Sequence, residues 1–273
     1  MSPDLFFQYL FAGITYGSIY AVVAIGFNII YNATGIINFA QGEFVMLGGM
    51  IAISLLPLLP LPLAVAAAVA ITMAVGGLIE VLFIRWLQSP SVLRMLIITI
   101  GISILLRESA LHLWGESIRS LPYFYGNEVT TLQVGSVHLS PQVLFVLGAC
   151  AANRTAAQLC GISTRNMVTL SFMLSAGIGA LAGCVMSPIT YTQYDSGTSL
   201  AIKGFTVAIL GGLGNSGAAV AAGLLLGVIE AFSVSVVPLA FQDAIAIAIL
   251  LLILFVRPHG LFGSSEAARL KDF

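Results

Sequence analysis

Glu43 is the residue of this chain whose type and position are best suited to chemistry. It is the only Asp, Glu, Lys or Arg between Leu5 and Ile79, and two amides, Asn38 and Gln41, stand just before it. An ionisable group at membrane depth costs at least about 2.5 kcal/mol even on lenient insertion scales. Beside a helix break, such a group could bind a polar solute or a cation. The alternative is that Asn38 and Glu43 only tie neighbouring helices together.

A second glycine-rich element, LGGLGNSG, covers residues 210–217. It is not a P-loop, because no Gly-Lys-Ser/Thr follows, and the chain is not expected to hydrolyse ATP by itself. A tight turn between two helices is the simpler interpretation. Glu230, within a later apolar run, is a further candidate for function. Six polar residues are therefore candidates for lining a solute path: Asn28, Asn38, Gln41, Glu43, Asn215 and Glu230.

The third element is the polar, alanine-rich stretch 151–165. It should form a short helix that stops at Gly161, after which Ser163 or Thr164 can cap the next helix. Such a helix could be a plain connection, or it could dock a cytoplasmic partner. The docking candidates are Arg154, Thr155, Ala156, Ala157 and Gly161.

Enzymatic and metal chemistry find little support in the sequence. The histidines (His112, His138, His259) are scattered, and the three cysteines (Cys150, Cys160, Cys184) have no metal-ligand spacing. No Ser/His/Asp constellation emerges. We expect a chain that is not an enzyme and that binds neither a metal nor another cofactor.

The composition of the chain indicates that membrane-spanning segments must position these residues. Hydrophobic residues make up 59% of the chain and charged residues 8%, whereas soluble proteins carry about 25% charged residues. The chain is expected to be a multi-pass membrane protein surrounded by lipid, and its net charge of −1 gives no indication of a nucleic-acid partner. The first four residues lack a basic leader, so the run from Leu5 is expected to be a retained span.

Apolar runs near the required length of about 20 residues predict an all-α, polytopic membrane helical bundle of about 8–9 spans, some broken or short. The predicted spans are 5–31, 36–56, 62–84, 92–114, 167–189, 200–213, 217–237 and 240–256. We expect residues 1–273 to form a single transmembrane domain. Residues 115–140 are predicted to be an external polar loop, or a hairpin turning at Gly135-Ser136. Small-residue pairs such as Gly13/Gly17 and Gly223/Gly227 predict close helix packing.

The basic residues favour an N-terminus outside and a C-terminus in the cytoplasm. With nine crossings, seven basic residues fall on the cytoplasmic side, against Arg119 and Lys203 outside. The crossing required before Arg154 is too short, since its apolar run of ten residues would reach only about 15 Å as a helix. Residues are therefore suspected to be missing between about Leu147 and Cys150.

Five sequence stretches together resemble the LivH-type permease subunits of branched-chain amino-acid ABC importers. They are GSIYA at 17–21, TGIINFAQGEF at 34–44, TIGIS at 99–103, GFTVAILGGLGN at 204–215 and RPHGLFG at 257–263. The stretches are distributed along the whole chain, and their combination is specific to this family. Thr155-Ala156-Ala157 followed by Gly161 is similar to the family's EAA…G coupling element, with Thr155 in place of the usual Glu.

The resemblance implies the ABC importer permease fold in a bacterial inner membrane. It implies a homologous second permease, two cytoplasmic ATPases that hold ATP and Mg²⁺, and a periplasmic substrate-binding protein. The function expected is ATP-driven import of branched-chain or related hydrophobic amino acids. Similar importers carry urea, amides or aromatic acids, so these solutes stay open. An ATP-independent channel or secondary carrier, with Glu43 as a proton or Na⁺ site, is the rival from another class.

Overall fold

A computed structural model of the chain describes residues 3–86, 92–124, 132–134, 137–139, 164–235, 238, 241–257 and 260–261. These residues form a helical bundle, as composition predicts. Its helices are α1 (Pro3–Thr34), α2 (Gln41–Leu55), α3 (Leu61–Ile79), α4 (Val92–Trp114), α5 (Thr164–Thr190), α6 (Ser196–Gly211), α7 (Ser216–Ser233) and α8 (Gln242–Val256). A π-helical turn, Glu80–Ile84, extends α3.

Five of the described helices are long and apolar enough to cross a membrane, namely α1, α3 with its π-helical turn, α4, α5 and α7. The apolar helices α2 and α8 are shorter. The predicted span 36–56 is helical only from Gln41, because the chain leaves α1 at Gly35 with a φ of +69°. This conformation suits glycine, which lacks a Cβ. The helix break expected beside Asn38 and Gln41 is confirmed, and it lies between Thr34, where α1 ends, and Gln41, where α2 begins.

A short hairpin accompanies the helices. Strand β1 (Leu132–Val134) pairs antiparallel with β2 (Val137–Leu139), and Val134 lies opposite Val137. The two strands flank the predicted turn at Gly135-Ser136. Whether this hairpin lies outside the membrane stays a prediction.

Helices α4 and α5 run in the same direction. Arg119, which follows α4, pairs through its backbone with Thr192, which follows α5. Near the starts of the same helices, Met95 and Phe172 belong to one core cluster. The chain therefore leaves α4 at one end of the bundle and enters α5 at the other. The crossing predicted within residues 141–152 lies outside the described residues.

Close packing of α1 against α7 confirms the small-residue prediction. A Cβ added at Gly17 would lie 2.8 Å from the Cα of Leu224, and one added at Gly223 would lie 2.8 Å from the carbonyl oxygen of Gly17. Helix backbones can approach this closely only where side chains are absent. The α1–α7 contact is one wall of the bundle, while α5 packs against α1, α2 and α3.

Lys203, which the charge count places outside the membrane, is buried in the helical bundle. The helix predicted over 200–213 is α6, which begins at Ser196, so Lys203 lies within it and is only 7% exposed. Its ammonium group is tolerated there because it is paired with buried Glu230. The side of the membrane on which Lys203 lies and the orientation of the termini both stay predictions.

Candidate functional site

Gln41 is held by an amide–hydroxyl network at the start of α2. Its Nε2 donates to the carbonyl oxygen of Ser175 at 3.1 Å, and its Oε1 accepts from the Ser175 hydroxyl at 2.5 Å. The same hydroxyl lies 2.8 Å from the carbonyl oxygen of Gly26. The network joins α1, α2 and α5 at the point where the broken helix restarts. Because Gln41 and Ser175 are fully buried, these hydrogen bonds replace water that the site excludes.

Glu43 stands two residues after Gln41, on a different face of α2, and it joins a different set of helices. Its Oε1 accepts hydrogen bonds from Ser103 of α4 at 2.9 Å and from Thr198 of α6 at 3.4 Å. Arg107 in turn donates to Thr198 at 3.4 Å. The side chain is fully buried, and its Oε2 has no hydrogen-bond partner among the residues that the structure describes. Glu43 thus ties α2, α4 and α6 and keeps one carboxylate oxygen available.

Asn28 of α1 and Asn215 both stabilise the glycine-rich turn between α6 and α7 through hydrogen bonds. The side-chain oxygen of Asn28 accepts from the backbone N–H of Gly214 at 3.1 Å. Asn215 caps α7, since its side-chain oxygen accepts from the N–H of Ala218 at 3.0 Å. Gly212 and Gly214 have φ values of +91° and +93°, so the tight turn predicted for this element is confirmed.

Asn38 lies inside the helix break. Its side-chain oxygen accepts from the N–H of Ala40 at 3.1 Å, which fixes the last residues before α2. The side-chain nitrogens of Asn38 and Asn28 are buried, and neither has a partner within the described part of the chain. Both amides therefore have donor capacity that the described contacts leave unused.

Glu230 belongs to an ion cluster elsewhere in the bundle. Its Oε1 lies 2.6 Å from Nζ of Lys203, and both residues are buried. The ammonium group also lies 3.2 Å from Oδ1 of Asp243 and donates to the hydroxyl of Tyr20 at 3.3 Å. The ring of Tyr20 has its centroid 5.3 Å from Nζ, close enough for a cation–π contact. Four helices meet here, namely α1, α6, α7 and α8.

The structure therefore places the six predicted path residues in separate groups. Asn38 lies in the helix break just before Gln41 and Glu43 of α2, Asn28 and Asn215 both contact the Gly214 turn, and Glu230 lies apart. Glu230 also lines a cavity of about 430 Å³, and none of the other five does. That all six line one solute path stays a proposal.

Sequence reasoning missed Lys203, Tyr20 and Asp243 as site residues. Lys203 carried a signal, because a lysine within an apolar run is as unusual at membrane depth as Glu43. Tyr20 and Asp243 had no such signal, since their partners are far away in the sequence. The residues proposed for ATPase coupling, Arg154, Thr155, Ala156, Ala157 and Gly161, lie outside the described residues.

No group of three His, Cys, Asp or Glu side chains within the described residues is arranged to hold a metal ion. The polar clusters provide hydrogen-bonding groups and charges among apolar helices.

Comparison with known proteins covers nearly the whole chain. The model of a family described as "Branched-chain amino acid transport system / permease component" matches residues 9–139 and 145–254. The chain is 32% identical to the high-affinity branched-chain amino acid transport system permease protein BraD of Pseudomonas aeruginosa, over 98% of this chain and 99% of that protein. It is 31% identical to LivH of Escherichia coli K12, over 97% of each chain.

A more distant relative is the probable branched-chain amino acid transport permease protein LivH of Methanocaldococcus jannaschii, which is 24% identical over 92% of this chain and 90% of its own. No solved structure matches the chain. The comparison with BraD runs over 306 positions, although this chain has 273 residues, so BraD contains residues without a counterpart here. The family match is interrupted between residues 139 and 145, near the suspected gap.

Proposed function

The chain belongs to the family of branched-chain amino acid transport permeases, and from this premise we propose that it is the membrane subunit of an ATP-driven importer for branched-chain or related hydrophobic amino acids. The observation that carries this proposal is the family match over residues 9–139 and 145–254, which includes both polar clusters and the cavity. The apolar helices of the bundle support it, because a permease must span the membrane. The chain is a translocation subunit, and its chemistry is solute passage.

ATP hydrolysis is assigned to two separate ATPase subunits. A P-loop needs a lysine that follows glycine, whereas the two lysines of this chain, Lys203 and Lys271, follow Ile202 and Leu270. The remaining partners of the proposed importer are a homologous second permease and a periplasmic substrate-binding protein. Its location is a bacterial inner membrane, with the N-terminus outside and the C-terminus in the cytoplasm.

Coupling to the ATPases is assigned to residues 151–165, which lead directly into α5. Thr169 near the start of α5 donates to Glu80 at 2.7 Å and accepts from Arg85 at 2.9 Å. Glu80 and Arg85 also form an ion pair of 3.2 Å at the end of α3. Because α5 packs against α1, α2 and α3, displacement of its first turn would be passed to the helices that carry the polar clusters.

Uptake by the complete importer tests the proposal. The chain is reconstituted into vesicles with its partner permease, ATPases and binding protein, and uptake of labelled leucine, urea and phenylalanine is measured. We expect leucine uptake that requires ATP and survives an ionophore. Uptake that persists without the ATPases and collapses with the ion gradient would instead establish a secondary carrier. Preference for urea would keep the ATP-driven mechanism and change the solute.

The coupling assignment has its own test. Replacing Ala156 or Gly161 with Trp should abolish uptake while membrane insertion stays normal, because a bulky side chain would obstruct docking. A Trp at Leu113, which is 73% exposed at the end of α4, is the control. Normal uptake by both coupling variants would refute the role of residues 151–165.

A further inference from the structure

A cavity of about 430 Å³ lies between α1, α5, α6 and α7. Its lining comes from the first half of α1, the end of α5, the start of α6 and the end of α7, so it occupies one end of the bundle. The volume lies within the range of about 300–1,000 Å³ that is usual for small-molecule sites. The side chain of Tyr191, on its wall, is 54% exposed, whereas Tyr20 deeper in is 5% exposed. The cavity therefore leads from an accessible mouth to a buried floor.

The charged part of the cavity lining is one ion pair, which a second carboxylate supports from outside the lining. Among the described residues that line the cavity, the charged side chains are Lys203 and Glu230, in contact at 2.6 Å. Asp243 adds a second carboxylate 3.2 Å from the same ammonium group. Two carboxylates thus share one cation. The side chain of Asp243 is 54% exposed and is not among the residues that line the cavity, so it can keep Lys203 paired from outside when Glu230 turns to a second cation.

The remaining lining of the cavity is mostly aromatic and aliphatic, with hydroxyl groups from Thr190, Ser196 and Ser199. Tyr9 and Tyr16 of α1 offer ring faces, which attract ammonium groups. Ile19 and Leu200 supply branched apolar surface, and Gly227 leaves room because it has no side chain. A small molecule with an ammonium group and a short apolar tail would match these walls in both charge and polarity.

We propose that this cavity binds a hydrophobic amino acid, with its ammonium group on Glu230, its carboxylate on Lys203 and its aliphatic side chain against Ile19 and Leu200. The inference rests on the proposed function for the nature of the solute. It places the solute inside this subunit, away from Glu43 and the helix break. Lys203 serves as the shared counter-ion, since it can exchange one protein carboxylate for that of the solute while remaining paired.

Binding of labelled leucine to the purified permease complex tests the site. The complex is held in phosphatidylglycerol nanodiscs, which contain no lipid amine, and three competitors are compared. Unlabelled leucine should compete best, 3-methylbutylamine should compete more weakly, and 4-methylpentanoate should not compete. Competition by 4-methylpentanoate alone, or equal competition by all three compounds, would overturn the charge assignment.

Two variants connect that binding to the cavity. Glu230→Gln should weaken leucine binding at least about tenfold, because it removes the buried charge that receives the ammonium group. Ala231→Phe should abolish binding by filling the cavity while leaving the three charged residues unchanged. Glu108→Gln is the matched control, since Glu108 is an exposed carboxylate on α4, and it should bind leucine normally. Undiminished binding by a folded Ala231→Phe variant would overturn the site.

Uptake measurements separate failure of the site from failure of the proposed function. If the complete importer takes up leucine and the Ala231→Phe variant does so equally well, the cavity is not the solute site and the proposed function stands. If unmodified chain binds leucine through Glu230 but the complete importer moves none, the site stands and the proposed function fails.

Discussion

Replacement of Lys203 with Met should destabilise the bundle more than any other single change in its ion cluster. Lys203 and Glu230 have side chains that are 9% and 5% exposed, and their charged atoms lie 2.6 Å apart. Removing one partner of a buried ion pair typically costs about 3–5 kcal/mol, because the other charge stays buried without compensation. Lys203→Met also leaves two carboxylates, those of Glu230 and Asp243, without their common cation. We therefore place this variant towards the upper part of that range.

The three charged residues of the cluster should contribute unequally to the free energy of unfolding. In Glu230→Met, the ammonium group of Lys203 still has Asp243 at 3.2 Å, so the loss of stability should be smaller than for Lys203→Met. Asp243→Asn should cost at most about 1 kcal/mol, since its side chain is 54% exposed and solvent screens the pair. The double variant Lys203→Met/Glu230→Met buries no unpaired charge and should lie close to the unmodified chain.

The purified chain is unfolded in mixed micelles by raising the fraction of SDS, and unfolding is followed by far-ultraviolet circular dichroism. The measurement gives the four free energies of unfolding of the cycle, those of the unmodified chain, the two single variants and the double variant. The double-variant cycle then yields the coupling between Lys203 and Glu230. A loss below about 1 kcal/mol for Lys203→Met would refute the description of this cluster as a buried, paired site. So would a double variant whose loss equals the sum of the two single losses.

Three further predictions concern packing, burial and helix capping. Gly223→Leu should disrupt the α1–α7 contact and sharply lower the yield of folded protein, whereas Gly101→Leu should not, because a Cβ at Gly101 meets nothing within 4 Å; equal yields would contradict the packing argument. Cys184 is fully buried. In a chain whose Cys150 and Cys160 are replaced by Ser, it should react with a water-soluble maleimide only after denaturation. Rapid labelling of the native chain would contradict its burial. Asn215→Ala should cost about 0.5–2 kcal/mol in the SDS titration and Asn215→Ser much less, because serine can still cap α7; an equal loss for both would contradict the capping role.

The membrane character and the helical class could be predicted from the sequence because both depend on composition and local pattern. Apolar runs of sufficient length predicted the spans, and the predicted helix break beside Asn38 and Gln41 coincides with the positive φ of Gly35. The tight turn around Gly214 was predicted for the same local reason. The stretches shared with LivH-type permeases indicated the family, which the comparison over nearly the full chain confirms.

The candidate site could be predicted only in part. Glu43 and Gln41 were recognised from their residue types, but their partners Ser103, Thr198 and Ser175 come from three other helices. Polar residues such as Asn215 were assigned to a solute path, although the described contact is a helix cap. Residue type reveals that a polar group at membrane depth needs a partner, and it does not reveal which one.

The sequence by itself determined that this chain spans a membrane, where its second helix is broken and to which family it belongs. Only the tertiary structure decided that Lys203, Glu230 and Asp243 meet, and that a cavity lies beside them. Helix formation and helix breaks depend on neighbouring residues, so local sequence is sufficient to predict them. Lys203 and Glu230 stand 27 positions apart on different helices, and their contact exists because α6 and α7 pack in one register and not another. That register is set by the whole bundle, including the glycine contacts between α1 and α7.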